Sequence, residues 1–355
     1  MARILIKNGR IWDGERFLYA DVLTDGDKIS RLEPNLAVSA DFVYDASGKI
    51  VSAGLVDAHV HMRGISSEVF GMHPEMSCFP FGVTAAADAG GGYGDKALLE
   101  SFMLKSVVFV GVDVKNNHAD LTKAEQKLTE YGDRAVGLKV YFDTTVSEVW
   151  DIAPLREVCN AARAKGLRVM VHCSNSPVSM AEILETLSPG DILTHSFHGG
   201  KNNASEDNFE GMILAQQRGV VIDVGFAGHV HTDFGVLEQA IRSGVIPDVI
   251  STDVTRLSAY TRGGRYGMTM CMNISKALGM REDDIFRAAT SNPAKALGID
   301  NECGYMKVGR TADIAVLDYT DECFDLTDKS GNRIFANEGY RCALTVSDGQ
   351  VVYRN

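Results

Sequence analysis

His59 and His61 stand two residues apart in the apolar run Gly54-Leu55-Val56-Asp57-Ala58-His59-Val60-His61. On a strand, that spacing sends both imidazoles to one side with Cα atoms about 6–7 Å apart, close enough to grip a single ion. Four more potential metal ligands close other apolar runs: Lys139, His172, His195 and Asp253. Taken singly, each reads equally well as a buried histidine, an outward-facing lysine or a helix-capping aspartate. Their convergence carries the chemistry. If every run is a strand of one closed barrel, the C-terminal strand ends form one face and the six side chains meet in one pocket. Lys139 is the odd member, set in Gly137-Leu138-Lys139-Val140-Tyr141, where a central strand leaves its ammonium no path to water. Burial of an unpaired ammonium lowers its pKa. The neutral amine can then capture carbon dioxide as a carbamate, an anionic ligand able to bridge two cations.

The elements needed to hold such a pocket follow from periodicity. Apolar strand-length segments at 55–61, 83–88, 107–112, 135–141, 168–172, 192–195, 220–224 and 249–253 number eight. They alternate with helix-length amphipathic segments, clearest at 123–131, 152–165, 180–187, 210–218 and 234–243. This is the rhythm of an α/β fold, a (β/α)8 TIM barrel. Two more helical stretches, 268–278 and 282–297, follow the eighth strand. The chain of 355 residues exceeds a bare barrel of about 250 by roughly a hundred. Short alternating strands with turns at Asp13-Gly14 and Asp25-Gly26 occupy the first fifty residues, and β texture returns at 314–317, 343–347 and 350–353. Residues 54–306 are therefore expected to form the barrel. Residues 1–53 and 307–355 are each too small to bury a core alone, and are expected to join as one discontinuous β-sandwich.

Composition narrows the partners. Lys+Arg 35 against Asp+Glu 47 gives a net charge of −12, which argues against a nucleic-acid surface. The seven cysteines form no C-x-x-C pair, the first residues lack the apolar core of a signal peptide, and no apolar run approaches the roughly 20 residues of a membrane span. The reading is a cytoplasmic homo-oligomer acting on a small molecule, with no nucleic acid and no membrane.

With these residues in place, the chain resembles the amidohydrolase superfamily over nearly its whole length. The likeness is to the binuclear, carboxylated-lysine branch that includes dihydroorotases, hydantoinases, isoaspartyl dipeptidases and deacetylases. It is carried by the first-strand run ending at His61, by Gly137-Leu138-Lys139, by His172 and His195, and by Asp253. Supporting segments are Ser291-Asn292-Pro293-Ala294-Lys295-Ala296-Leu297-Gly298 and Val308-Gly309-Arg310-Thr311-Ala312-Asp313. The resemblance implies two divalent ions, with Zn2+ the best fit to the imidazole and carboxylate donors. One ion would take His59, His61 and Asp253, and the other His172 and His195. Lys139, as N6-carboxylysine, would bridge them. It also implies a metal-bridging hydroxide that attacks a carbonyl, with Asp253 as the catalytic group that takes up the proton and passes it to the leaving group.

Arg63 follows the first-strand pair, where dihydroorotase-like enzymes pair an arginine with a substrate carboxylate through two parallel hydrogen bonds. Other rim candidates are Tyr141, Asn175, His198, His229, His231, Arg256, Arg262 and Arg265. Substrate contacts are expected from Arg63, Tyr141, Asn175, His229 and Arg265. Departures from the family are informative. The second strand runs into Asp88-Ala89-Gly90-Gly91-Gly92-Tyr93-Gly94 rather than Met-Pro-Asn, and Arg63 is followed by Gly64-Ile65-Ser66 rather than Glu-Pro-Gly. The glycine-rich stretch reads either as an anion-approaching backbone loop or as a plain flexible one. Strict dihydroorotase activity is disfavoured. So is deamination, because Cys173-Ser174-Asn175-Ser176 follows His172 where the deaminases carry a glutamate. The expected reaction is hydrolysis of an amide or ester acyl bond of a small carboxylate-bearing substrate, deacetylase-like. A cyclic amidohydrolase of the dihydroorotase or hydantoinase type is the alternative, and an inactive scaffold is disfavoured by the full set of ligand positions.

Overall fold

The computed structural model describes residues 2–228, 230–261, 264–321 and 324–355. Seven strands pair in chain order and all in parallel: Leu55–Val60, Val83–Gly91, Lys105–Lys115, Ala135–Tyr141, Arg168–His172, Ile192–Thr194 and Val221–Asp223. Helices between them include Leu121–Tyr131, Ala153–Ala164, Met180–Thr186, Glu210–Gln217 and Phe234–Arg242. The glycine-rich stretch is not a free loop at its start, since the second strand continues to Gly91. A Cβ on Gly90 would come within 2.5 Å of the Tyr141 hydroxyl, so the close approach of those two strands requires glycine there.

The eighth strand departs from expectation. Residues 249–254 make isolated parallel bridges, Asp223 with Val249 and Val60 with Val254, instead of a ladder. Irregular backbone hydrogen bonds serve both flanks: Phe226 and Ala227 donate to Ser251 and Thr252, and Asp253 N–H donates to His59 C=O at 2.7 Å. A side chain completes the seam. Buried Asp57 accepts from the Thr252 backbone N–H at 3.1 Å and its hydroxyl at 2.6 Å. Burial pushes the Asp57 pKa up to about 7 even against those bonds. The barrel thus closes, but through a segment bent away from strand geometry where Asp253 must point inward.

The expected helix over 282–297 is two helices, Glu282–Ala288 and Ser291–Leu297. Pro293 has no N–H to return to Ala289, and the freed Ala289 carbonyl accepts the Val56 N–H of the first barrel strand at 2.9 Å. Ala294 and Leu297 of the second helix pack with Val56, Ala85, Val107, Ile192 and Val249, residues at or near the strand starts, and so plug the N-terminal end of the barrel. The opposite end is left for chemistry.

Both chain ends meet in one eight-stranded sheet. Its order is Gln350–Arg354, Gly339–Ser347, Ile314–Thr320, Ile50–Ala53, Ile4–Trp12, Phe17–Asp25, Lys28–Glu33, with Phe42–Asp45 alongside Ile4–Trp12. Ile4–Trp12 pairs through its first half with Phe42–Asp45 and through its second half with Ile50–Ala53, so the sheet folds over a core of Ile6, Ile11, Val22, Val51, Ile314, Val316 and Leu344. A hairpin, Phe324–Thr327 with Arg333–Ala336, leaves this region and touches the barrel. At its tip Asp328 accepts the Phe234 N–H at 2.8 Å, and Ser330 donates to Asp233, the N-cap of the Phe234–Arg242 helix.

Sheet and barrel are also joined by Lys105, whose ammonium lies 2.9 Å from Asp313 and 2.6 Å from Asp348. Asp313 is buried, and removing its partner leaves an uncompensated charge. Lys105→Ala is therefore expected to cost about 3 kcal/mol in urea unfolding. A loss under about 0.5 kcal/mol, the range of an exposed pair, would show that the clamp is decorative.

Candidate metal centre

The strand ends converge. His59, His61, Lys139, His172, His195 and Asp253 are all buried. His59, His61 and Asp253 form one group with potential ligand atoms within 4.8 Å of one another, and His172, His195 and His231 form a second. Asp253 joins them: its Oδ1 is 3.3 Å from His59 Nε2 and 2.9 Å from His61 Nε2, and its Oδ2 is 3.7 Å from His195 Nε2. Lys139 Nζ lies 3.4 Å from His59 Nε2.

Each imidazole is turned by a second contact on its outer edge, which leaves the inner nitrogen for the centre. His195 Nδ1 lies 2.7 Å from the Gly225 carbonyl. His61 Nδ1 is 3.3 Å from Ser66 Oγ, and Ser66 is in turn bonded to Asp88 at 2.8 Å. His59 Nδ1 is 3.3 Å from Thr194 Oγ1, which donates to Asp223 at 2.7 Å. His172 Nε2 faces Asp143 at 3.2 Å, and Asn175 donates to the same oxygen at 3.0 Å. Sequence reasoning missed Asp143, Asp88, Asp223 and Ser66. Each lies within a few residues of a strand end, but nothing in its type marks it apart from an ordinary loop or strand polar residue.

Electrostatics keep the donors ready. Burial, with Lys139 nearby, pushes His59 down to about 4. Burial and neighbouring histidines drive His195 well below its ordinary value and take His231 down to about 3. His59, His195 and His231 are thus neutral at pH 7, the form a metal requires. Burial alone would raise Asp253, yet His59, His61 and His231 hold its carboxyl well below the usual carboxylate range. Desolvation lowers Lys139 to about 8, against the pull of Asp253 and Asp223.

Two observations fit this donor set to a cation. His195 Nε2 is buried with no hydrogen-bond partner, and Asp253 Oδ1 faces the inner nitrogens of His59 and His61, whose outer nitrogens are already engaged. Both residues also adopt left-handed backbone angles, φ 68° for His195 and φ 47° for Asp253, a conformation that costs non-glycine residues on the order of 1–3 kcal/mol each. Strain and unsatisfied lone pairs at the same residues fit a site built around a positive charge.

The expected substrate contacts are scattered. Tyr141 follows Lys139 on its strand, with its ring 5.7 Å from that of His172 and its hydroxyl donating to Ala89. Asn175 sits behind His172 on Asp143. Arg63 is largely exposed and pairs with Glu68 at 2.6 Å. Arg265 is directed elsewhere, lining a cavity of about 660 Å³ with Phe81, Met270 and Phe324, between barrel and terminal sheet. His229 and Arg262 lie outside the described residues. His231, read from sequence only as a possible rim residue, is instead drawn into the centre.

The amidohydrolase family profile matches residues 50–352. A deacetylase of Agrobacterium fabrum is 29% identical, the match covering 88% of this chain and 81% of that protein. A deacetylase of Enterococcus faecalis is 28% identical, with 98% of each chain covered. Among solved structures, a dihydroorotase superposes with a TM-score of 0.85 at 25% identity, over 100% of this chain and 98% of that one.

Gly225 (φ 60°) carries the carbonyl that orients His195, and a Cβ there would meet His195 Nδ1 at 2.4 Å. Gly225→Ala is expected to weaken metal retention by about 10–100-fold, as loss of an outer-shell partner does, with the far-UV circular dichroism unchanged. Full metal content by plasma emission spectrometry after dialysis would refute that role.

Proposed function

The chain belongs to the amidohydrolase family, hydrolases of carbon–nitrogen bonds, and from that premise we propose that it removes an acyl group from a small carboxylate-bearing substrate, as a deacetylase does. The observation that carries the reaction class is the pairing of two three-residue donor groups through one buried carboxylate, Asp253. Two divalent ions, most simply Zn2+, would be held by His59, His61 and Asp253 on one side and by His172 and His195 on the other, with carboxylated Lys139 between them. When bound, they would supply an activated water at neutral pH and polarise the scissile carbonyl.

The chain's own groups do the rest. Asp253, fixed as a carboxylate, accepts a proton from the attacking water and returns it to the leaving nitrogen or oxygen. Lys139 is poised for carboxylation because burial makes the neutral amine accessible near physiological pH. Arg63, at the mouth after the first strand, exchanges Glu68 for the substrate carboxylate; an exposed pair of this kind holds only about 0–1 kcal/mol, so the exchange is cheap. The acyl-chain reading is supported by the two deacetylase relatives, which span 81% and 98% of their own lengths in the match. A cyclic amide substrate is favoured by the solved dihydroorotase, and the two readings share every group named above.

A panel of N-acyl and O-acyl acids of both hands, assayed beside dihydroorotate and hydantoins with zinc and bicarbonate, separates them. Turnover of open-chain acyl acids is expected. Turnover confined to the cyclic compounds would overturn the deacetylase reading. Lys139→Ala is expected to lose at least about a hundredfold in kcat/KM, some 2.7 kcal/mol of transition-state stabilisation. Reconstitution of metal-free protein with zinc and bicarbonate should quicken about tenfold per pH unit up to about 8, where the Lys139 amine becomes mostly neutral, and level off above it. A flat profile between pH 6 and 8 would count against a carbamate at Lys139.

A further inference from the structure

Beyond the two-ion reading on which it rests, we infer that His231 is a third imidazole ligand at the second position, completing it with His172 and His195. His231 lies on the segment between the seventh strand and the Phe234–Arg242 helix, and 19% of its side chain is exposed. Its ring stands 4.3 Å from that of His195 and 4.9 Å from that of His172, and its Nε2 is 4.0 Å from Asp253 Oδ2. The potential ligand atoms of the three histidines all lie within 4.8 Å of one another. These are spacings that one cation can draw together, whereas three neutral imidazoles gain little from one another.

The outer nitrogens fix the tautomers. His231 Nδ1 is 2.8 Å from Ser174 Oγ, and Ser174 Oγ is also 3.1 Å from His172 Nε2, the nitrogen that faces Asp143. With Nδ1–H of His231 and Nε2–H of His172 both turned outward toward Ser174 and Asp143, the inner lone pairs are His231 Nε2 and His172 Nδ1. Ser174 is thus a positioning residue shared by two ligands. His195 adds its unpartnered Nε2, held inward by the Gly225 carbonyl. Backbone order also favours this role, because Asp233, two residues on, caps the helix and is gripped by Ser330 of the hairpin, while Thr232 C=O accepts the Lys329 N–H. The segment bearing His231 is anchored immediately downstream.

A position with three nitrogen donors does not need a carbamate to keep its ion. The second ion should therefore survive loss of Lys139, which separates this inference from the bridging role proposed above. The test is titration of metal-free protein with Co2+ against a competing chelator, read by stoichiometry and by visible absorption. His231→Ala is expected to weaken one of the two ions at least about tenfold and to change its cobalt spectrum, and Ser174→Ala to weaken the same ion by about 10–100-fold. His231→Cys keeps a donor and should introduce an intense near-ultraviolet thiolate-to-cobalt band, a signal that a merely structural histidine cannot produce. Unchanged affinity and spectrum in His231→Ala, or no new band in a folded His231→Cys, overturns the assignment. Should wild-type protein hold a single ion, the two-ion reading fails, and the same variants still decide: an ion lost in His231→Ala supports the three-histidine position, and an ion retained there overturns it.

Discussion

The molecule is organised around one electrostatic problem, the withdrawal from water of a dense set of ionisable groups at the C-terminal mouth of the barrel. Four imidazoles, an amine and a carboxylate are buried within a few ångströms of each other, and His231 crowds the same space. Burial alone would neutralise such a set. It does so for His59 and His195, while Asp253 stays charged because the histidines surround it. A cluster of inward lone pairs has no internal way to satisfy itself, which is why His195 Nε2 stands unpartnered. The protein must therefore hold the geometry by means outside the cluster, and it does so with a collar of outer contacts: Asp143, Ser66 with Asp88, Thr194 with Asp223, and the Gly225 carbonyl.

Holding that geometry has structural consequences down the barrel. His195 and Asp253, both in left-handed conformations, cost a few kcal/mol together, a sizeable share of the roughly 5–15 kcal/mol by which a domain is stable. The irregular eighth segment is where part of that strain sits. A straight strand at 249–254 would carry Asp253 past the centre, and the segment instead bends and is secured from the side by Asp57. At the far end, the helix that carries Pro293 plugs the barrel with apolar side chains, so the ionisable groups are confined to the mouth.

Much of this was legible in the sequence because strand-end residues advertise themselves: an apolar run that stops on His, Lys or Asp is uncommon, and a barrel makes such stops neighbours. The strand order and the union of the two chain ends follow from the same periodicity and from the size of each terminal piece. What the sequence hid depended on backbone paths without periodicity. His231 lies in a loop, where spacing carries no direction, so its approach to His195 could not be read. Asp143 and Ser66 each touch one histidine of the centre, and any loop carboxylate or hydroxyl looks the same in a string of letters. The break at 289–290 was concealed because Pro293 can sit in a first helical turn as well as end a helix. Arg265 misled for a related reason: proximity in sequence to the eighth strand says nothing about which side of the chain the guanidinium takes, and it faces the terminal sheet.

The hairpin at Phe324–Ala336 has a bearing on how the protein comes into being. Its tip fastens the segment just after His231, yet it is specified nearly a hundred residues later in the chain. During synthesis, the barrel strands and most of the donors emerge well before that fastening exists. The backbone beside His231 is thus the last part of the mouth to be secured, because it waits for residues 324–336 to emerge and dock on a barrel whose other donors are already in place.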